Sequence, residues 1–228
     1  MARREDGWWQ PISQETSCAT LFKNDDVRFL VKVGFAENLP ACTIITVNGA
    51  GYALSLVRES LADRALAFAT AAHAAIDQRR KYTNENYIVH PIAVAEIVKT
   101  VQHTPEMIAA AYLHDVAEDT PFTLMDIHDE FDDEVAELVY WLTDKSKPAD
   151  GNRAARKAID LEYAARAPRM AKTIKLADLI DNTLTIKERD PDFWRVYRHE
   201  KLRLLDVLRD GDATLWERAA AQCEKETA

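Results

Sequence analysis

His114-Asp115-Val116-Ala117-Glu118-Asp119 is the stretch of this chain from which both its fold and its chemistry can be inferred. It directly follows the apolar run 108–113, so a buried helix is expected to become acidic at its end. Residues four apart on a helix share a face, which predicts that the histidine lies over Glu118 and the first aspartate over Asp119. Carboxylates left unpaired beside a core are costly. The stretch therefore predicts a bound cation.

Two further segments supply groups of the same kind. His90 precedes Pro91 at the predicted mouth of a helix, and Asp178 belongs to the amphipathic helical segment 175–182. Two imidazoles with two carboxylates suit a divalent ion such as Mn, Fe or Zn, and the share of carboxylates favours the harder ions. The predicted cofactor is Mn²⁺, with another divalent metal left open.

The chain around these segments has a helical pattern from Ser60 onward. A capping box is predicted at Ser60 and Asp63, with apolar residues at helical spacing behind it. Further starts are marked by Pro91 at a first helical position, Thr104-Pro105, Thr123 with Asp126, Asp190-Pro191 and Asp212. The helix from Met107 is expected to run to about Ala117, and residues 145–151 to form a polar loop. The predicted fold is all-α, a helical bundle over residues 56–228.

Residues 1–55 differ in character and are predicted to be an N-terminal extension. Short runs rich in β-branched residues at 27–35 and 42–47, with turn residues between and after them, favour a β-hairpin there. No role is assigned to this extension.

Composition narrows the classes of partner. The formal net charge is −9, which disfavours broad attraction to nucleic-acid phosphates, so an anionic ligand would need a local cluster of positive groups. No run approaches the length of a membrane span. The three cysteines are far apart, as expected in the reducing cytoplasm. A small-molecule partner is expected, with no nucleic acid and no membrane, while protein partners stay unknown.

Five motifs in one order resemble a known family, the HD-domain hydrolases, and within it the hydrolase domain of RelA/SpoT homologues and the small alarmone hydrolases. The resemblance extends from about Ala62 to Trp216. The motifs are Ala72-His73, Gln78-Arg79-Arg80-Lys81, Tyr87-Ile88-Val89-His90-Pro91, the stretch 113–120 and the segment 175–182.

The resemblance implies an HD-domain helical bundle that removes the 3′-pyrophosphate from guanosine tetra- or pentaphosphate, giving GDP or GTP. By the same match Glu118 and Asp119 would position and deprotonate the attacking water. His73 matches the family too, but a histidine on an apolar helix face is expected to be a hydrogen-bonded core residue. The implied metal ligands are His90, His114, Asp115 and Asp178, and the implied substrate contacts are Arg79, Arg80, Lys81, Asn182 and Thr185.

Several alternatives stay open at the level of sequence. Residues 82–86 lack the glycine and proline that the family usually has there, so adenosine alarmones, NADPH or dNTPs could be the substrate. An HD module that binds an alarmone without turnover is the alternative from another class. Intact Glu118 and Asp119 argue against that module, because binding alone needs no carboxylates that activate water.

Overall fold

The structure is a computed structural model that describes residues 60–224 throughout and, among residues 1–59, the backbone of six strands. The chain divides into two compact units, Met1–Arg58 and Glu59–Ala228.

The first unit contains three antiparallel strand pairs. The predicted strand at 42–47 has the expected bounds, but its hairpin partner is the strand Ala50–Ser55 rather than the run predicted at 27–35, with Cys42 paired to Ser55 and Val47 to Ala50. Of the strand predicted at 27–35 the structure describes Val31–Val33, and its other residues lie outside the described ones. The strands are β1 (Ala2–Arg3) with β2 (Trp9–Gln10), β3 (Ala19–Leu21) with β4 (Val31–Val33), and β5 (Cys42–Val47) with β6 (Ala50–Ser55).

The second unit is all-α over residues 60–224, which confirms the predicted fold class. None of the helices among the described residues has the length and apolarity needed to cross a membrane. They are α1 (Leu61–Ala75), α2 (Val89–Val98), α3 (Pro105–Leu113), α4 (Val116–Asp119), α5 (Leu124–Glu130), α6 (Asp133–Leu142), α7 (Arg153–Arg166), α8 (Arg169–Arg189), α9 (Pro191–Val207) and α10 (Ala213–Ala221).

Most of the predicted helix starts are confirmed. Ser60 and Thr123 each form a reciprocal capping box with an aspartate three residues later, which satisfies backbone N–H groups that have no partner within the helix. Asp190 caps α9 ahead of Pro191, and Asp212 caps α10. Residues 145–151 lie between helices and contain only a short 3₁₀ turn.

Two helix bounds differ from the predictions. Helix α2 begins at Val89, so Pro91 is its third residue, a first-turn position where a missing N–H costs nothing. The predicted continuous helix from Met107 to about Ala117 is wrong, because α3 ends at Leu113 and α4 begins at Val116. The Nδ1 atom of His114 lies 2.9 Å from the Ala111 carbonyl oxygen, the group that the N–H of Asp115 would bind if the helix continued.

Helix α3 is the centre of the bundle. Helices α1, α2, α6 and α8 all pack against it. Its residues Ala109, Ala110, Ala111 and Leu113 are 0% exposed, and small alanine side chains allow neighbouring helices to approach closely. The end of α3 therefore delivers His114 into the interior beside α2 and α8.

Candidate active site

Three predicted ligands converge where α2, α3 and α4 meet. One potential ligand atom from each of His90, His114 and Asp115 lies within 4.8 Å of the others. Both histidines are buried, and Asp115 is partly exposed. Residues 24 apart in sequence thus form one cluster because α2 and α3 pack side by side.

The turn between α3 and α4 orients His114. Its Nδ1 atom donates to the Ala111 carbonyl, so the proton is on Nδ1 and the lone pair of Nε2 points into the cluster. Nε2 is buried and has no hydrogen-bond partner, and it lies 3.0 Å from Asp115 Oδ2 and 3.9 Å from Asp178 Oδ1.

His90, the second residue of α2, presents its ring in the same way. Its Nδ1 atom lies 2.6 Å from Asp181 Oδ2, and its Nε2 atom lies 3.2 Å from Asp178 Oδ1 and 3.6 Å from Asp115 Oδ2. Asp178 and Asp181 come from consecutive turns of α8. The structure therefore brings all four predicted ligands together.

Neighbouring polar groups fix the two ligand carboxylates. The Tyr87 hydroxyl donates to Asp115 Oδ2 at 2.6 Å. The Asn182 amide donates to Asp178 Oδ1 at 2.6 Å, and the Lys175 ammonium lies 3.0 Å from Asp178 Oδ2. Each carboxylate is held in one orientation toward the histidines.

The electrostatics of the cluster favour a positive charge within it. Burial disfavours the charged form of His90, but its hydrogen bonds to Asp178 and Asp181 raise its pKa to about 9. Burial also opposes ionisation of Asp115 and Asp178, yet the two histidines hold the pKa of both carboxyls below the ordinary range, and at Asp178 Lys175 adds the largest attraction. A proton on an imidazole or a metal ion can supply the positive charge that these facing acceptors need.

The residues present fit a divalent metal ion. Two imidazole nitrogens and two carboxylates face one another, and the buried Nε2 atom of His114 has no other partner. Such a mixed nitrogen and oxygen set suits the divalent ions of the first transition row.

Glu118 lies beside this cluster rather than within it. Its Oε2 atom accepts the backbone N–H of Asp144 at 3.2 Å. Burial and repulsion by the Asp144 carboxylate raise the pKa of Glu118 to about 7, although the attraction of the Lys175 ammonium opposes this shift. The side chain also reaches solvent, which moderates this shift. Glu118 is therefore a carboxylate that can accept a proton near neutral pH.

Asp119 has different hydrogen-bond partners from Glu118. Its Oδ2 atom accepts the Gln78 side-chain amide at 2.8 Å, and Gln78 Oε1 lies 2.6 Å from His73 Nδ1. Desolvation and the charge of Asp115 raise the pKa of Asp119. His73 is buried at 1% exposure and hydrogen-bonded, in line with its predicted place in the core.

The predicted pairing of Asp115 with Asp119 keeps the helical relation, because the Asp119 N–H donates to the Asp115 carbonyl at 2.9 Å. His114 and Glu118 do not belong to one continuous helix, since α3 ends at Leu113 and α4 begins at Val116.

The three predicted basic residues point in different directions. Arg80 reaches α8, with its guanidinium 3.2 Å from Asn182 Oδ1, 3.3 Å from Asp181 Oδ2 and 3.5 Å from Thr185 Oγ1. Lys81 lies over the Tyr82 ring and 3.6 Å from Asp190. Arg79 is instead paired with Asp77 at 2.7 Å in an exposed position. Arg80, Asn182 and Thr185 therefore form one group beside the cluster, and Arg79 is turned toward Asp77.

The loop without glycine or proline still makes a tight turn. Arg80 N–H donates to the Glu85 carbonyl at 2.9 Å and Asn84 N–H to the Arg80 carbonyl at 3.0 Å. Asn84 has a φ of 58°, a left-handed conformation that asparagine tolerates better than most residues. Asn84 thus performs the conformational task for which glycine is usual.

A cavity of about 190 Å³ opens on the α8 side of the site. Asp178 and Asn182 line one wall, and side chains of α7 and α9 line another. Its charged lining is nearly balanced, and four of its five cations, all but Arg203, lie in ion pairs with carboxylates. The cations are Arg153, Lys157, Lys172, Lys175 and Arg203, and the acids are Asp144, Asp160, Asp178 and Glu200.

Sequence reasoning missed four residues that contact the predicted ones. Lys175 and Asp181 lie three residues on either side of Asp178 on α8, a spacing that places them near it. Tyr87 and Gln78 were visible only as parts of the family motifs, because their partners Asp115 and Asp119 are distant in sequence.

Comparison with known proteins places this geometry in a family context. The profile described as HD domain matches residues 65–208. A Synechocystis protein named probable guanosine-3′,5′-bis(diphosphate) 3′-pyrophosphohydrolase is 37% identical over 134 residues, which are 57% of this chain and 17% of that protein. The Drosophila melanogaster protein guanosine-3′,5′-bis(diphosphate) 3′-pyrophosphohydrolase MESH1 is 33% identical over 60% of this chain and 80% of its own length.

A solved structure agrees with these similarities. It is described as a metazoan orthologue of SpoT that hydrolyses ppGpp and plays a role in starvation responses. It superimposes with a TM-score of 0.64 at 30% identity, covering 72% of this chain and 93% of the other.

Proposed function

Because the chain belongs to the HD domain family, we propose that it is a metal-dependent hydrolase that removes the 3′-pyrophosphate from guanosine tetra- or pentaphosphate. The convergence of His90, His114, Asp115 and Asp178 is the observation that carries this proposal. The names of the small relatives, of which the chain covers 80% in one case, support the same substrate class.

Those four side chains would hold the ion, for which Mn²⁺ is our choice because half the set is carboxylate. When bound, such an ion polarises a phosphoryl oxygen and lowers the pKa of water. Tyr87, Asn182 and Lys175 keep the two ligand carboxylates in place.

Glu118 and Asp119 are the proposed catalytic carboxylates. Glu118 takes the proton of the attacking water, since its pKa lies closer to neutrality than that of an ordinary glutamate. Asp119, fixed by Gln78, orients that water. The water oxygen forms a bond to the phosphorus attached to the ribose 3′ oxygen, the bond between that phosphorus and the 3′ oxygen breaks, and the released 3′ oxygen takes up a proton. Pyrophosphate leaves, and GDP or GTP carries the new 3′ hydroxyl.

The substrate is a small anionic nucleotide held on both sides of α8. Arg80, Asn182 and Thr185 form a polar edge on one side, where a guanidinium can stack on a base or bind phosphate. The cavity on the other side contains lysine and arginine side chains that could bind phosphate groups if they exchanged their present carboxylate partners for the substrate. Lys81 adds a cation at the rim, whereas Arg79 would have to leave Asp77 to take part. We place this activity in the cytoplasm.

The experiment is product identification from a nucleotide panel with and without Mn²⁺. Guanosine tetraphosphate, its adenosine counterpart, NADPH and dNTPs are incubated with the protein and the products separated by chromatography. Pyrophosphate and GDP from guanosine tetraphosphate are expected. Preferred turnover of adenosine alarmones or NADPH would change the nucleotide but keep the chemistry.

Two outcomes would contradict the proposal. Triphosphate released from dNTPs, with 3′-pyrophosphorylated nucleotides left intact, would assign the site to another reaction. Tight binding of guanosine tetraphosphate without any turnover would indicate a regulatory module that binds the alarmone.

A further inference from the structure

Asp181 links the predicted metal site to the predicted substrate edge. Its side chain is 16% exposed, and a single oxygen, Oδ2, lies 2.6 Å from His90 Nδ1 and 3.3 Å from the Arg80 guanidinium. One carboxylate oxygen therefore accepts hydrogen bonds from an imidazole and from an arginine. No pattern in the sequence singles out this residue.

The contact with His90 determines which ring nitrogen carries the proton. A carboxylate accepts and does not donate, so Nδ1 carries a proton, and Nε2 faces Asp178 and Asp115, where a bound metal ion would take the place of a second ring proton. His114 reaches the same state by a different route, through the Ala111 carbonyl. The two rings thus present equivalent nitrogens to the cluster, one fixed by the main chain and one by Asp181.

We propose that Asp181 is a positioning residue that holds His90 in the tautomer and orientation required for metal binding, with Arg80 held against the same oxygen. The inference rests on the proposed function only in that His90 is a metal ligand. A carboxylate behind a ligating histidine raises the basicity of the ring, and losing such a partner typically weakens metal affinity by about 10 to 100-fold.

Arg80 provides the matched control. Arg80→Gln removes the ion pair between Arg80 and Asp181, which replacement of Asp181 also removes, but it leaves the contact between Asp181 and His90. If Asp181 acts through His90, its replacement weakens Mn²⁺ binding, whereas Arg80→Gln affects the KM for the nucleotide and not the affinity for the ion. If Asp181 serves only as a partner of Arg80, the two substitutions have the same effect.

The experiment measures Mn²⁺ affinity by electron paramagnetic resonance on protein first stripped of metal. Variants Asp181→Leu, Asp181→Ala, Asp181→Asn and Arg80→Gln are compared with the unaltered chain, and circular dichroism checks that each is folded. The dissociation constant for Mn²⁺ should rise about 10 to 100-fold in Asp181→Leu. It should rise less in Asp181→Asn, whose amide oxygen can still accept from Nδ1, and stay unchanged in Arg80→Gln.

An unchanged dissociation constant in Asp181→Leu, or in Asp181→Ala should the leucine variant not fold, would overturn the inference. So would a rise in Arg80→Gln as large as that in Asp181→Leu. Hydrolysis of guanosine tetraphosphate is assayed separately. Mn²⁺ affinity that depends on Asp181 without such hydrolysis would sink the proposed substrate but uphold Asp181 as a positioning residue.

Discussion

At the scale of single residues, the site separates binding from proton transfer. His90 and His114 are buried with their Nε2 atoms facing two fixed carboxylates, whereas Glu118 lies beside them in contact with solvent. Replacing a metal ligand should therefore lower metal occupancy, whereas replacing the base should lower turnover and leave the metal bound.

Asp178→Ala should empty the metal site. Its Oδ1 atom lies close to both histidines, and two imidazoles with one remaining carboxylate bind a hard ion more weakly. Metal analysis after purification should show nearly one ion per unaltered chain and a sharp fall in the variant. The control is Asp126→Ala, at the exposed capping box of α5, which should keep its metal. Unchanged occupancy in Asp178→Ala would remove this residue from the ligand set.

Glu118→Gln should keep the metal but lose turnover by about a hundred-fold or more, because the amide cannot accept a proton. In the unaltered enzyme kcat/KM should fall with decreasing pH as Glu118 becomes protonated, with a midpoint between 4.5 and about 7. Steady-state kinetics across pH measures both effects. Glu96→Gln, on the exposed face of α2, should behave as the unaltered enzyme. Near-normal turnover in Glu118→Gln would rule out the role of base.

At the scale of elements, helix starts were predictable and the interruption at the active site was not. Capping residues act locally, so the sequence specified Ser60, Thr123, Asp190 and Asp212 as starts. The end of α3 at Leu113 depends on the His114 ring replacing a backbone donor, which no periodic pattern encodes. Asp181 was missed for a similar reason, since its importance depends on how α2 packs against α8.

Lys201 joins three helices and predicts an alkaline effect on stability. Its ammonium is fully buried on α9 and donates to Thr183 of α8 and Gln222 after α10. Burial lowers its pKa to about 8 from the ordinary 10.5. Between these two pH values the unfolded chain therefore binds more protons than the folded chain. The free energy of unfolding should therefore rise from pH 8 to 10.5, by about 3 kcal/mol for this group.

Urea denaturation of the unaltered chain and of Lys201→Met at several pH values measures that contribution. Other titrating groups are common to both proteins, so the difference in their free energies of unfolding isolates Lys201. The free energy of unfolding of the unaltered chain should increase relative to that of Lys201→Met as the pH rises. A difference that does not vary with pH would show that the lysine is not perturbed.

At the scale of the whole molecule, every residue assigned to the site lies within one compact unit, Glu59–Ala228. A chain that begins at Glu59 should therefore fold, bind one metal ion and hydrolyse the same nucleotide. Metal analysis and steady-state kinetics of the shortened and full chains provide the comparison. A folded short chain that binds the metal but turns over poorly would assign residues 1–58 a role in catalysis.

The buried alanines of α3 have a consequence for how the molecule opens. Amides exchange with deuterium only when their hydrogen bonds break, and the slowest exchange marks the segments that open last. Helix α3 is enclosed by four other helices, so Ala109, Ala110 and Ala111 should be among the best protected amides. Mass spectrometry of peptides after timed labelling tests this, and rapid labelling of α3 would contradict it. His114 adjoins this segment, so the site should keep its shape while the periphery of the bundle opens.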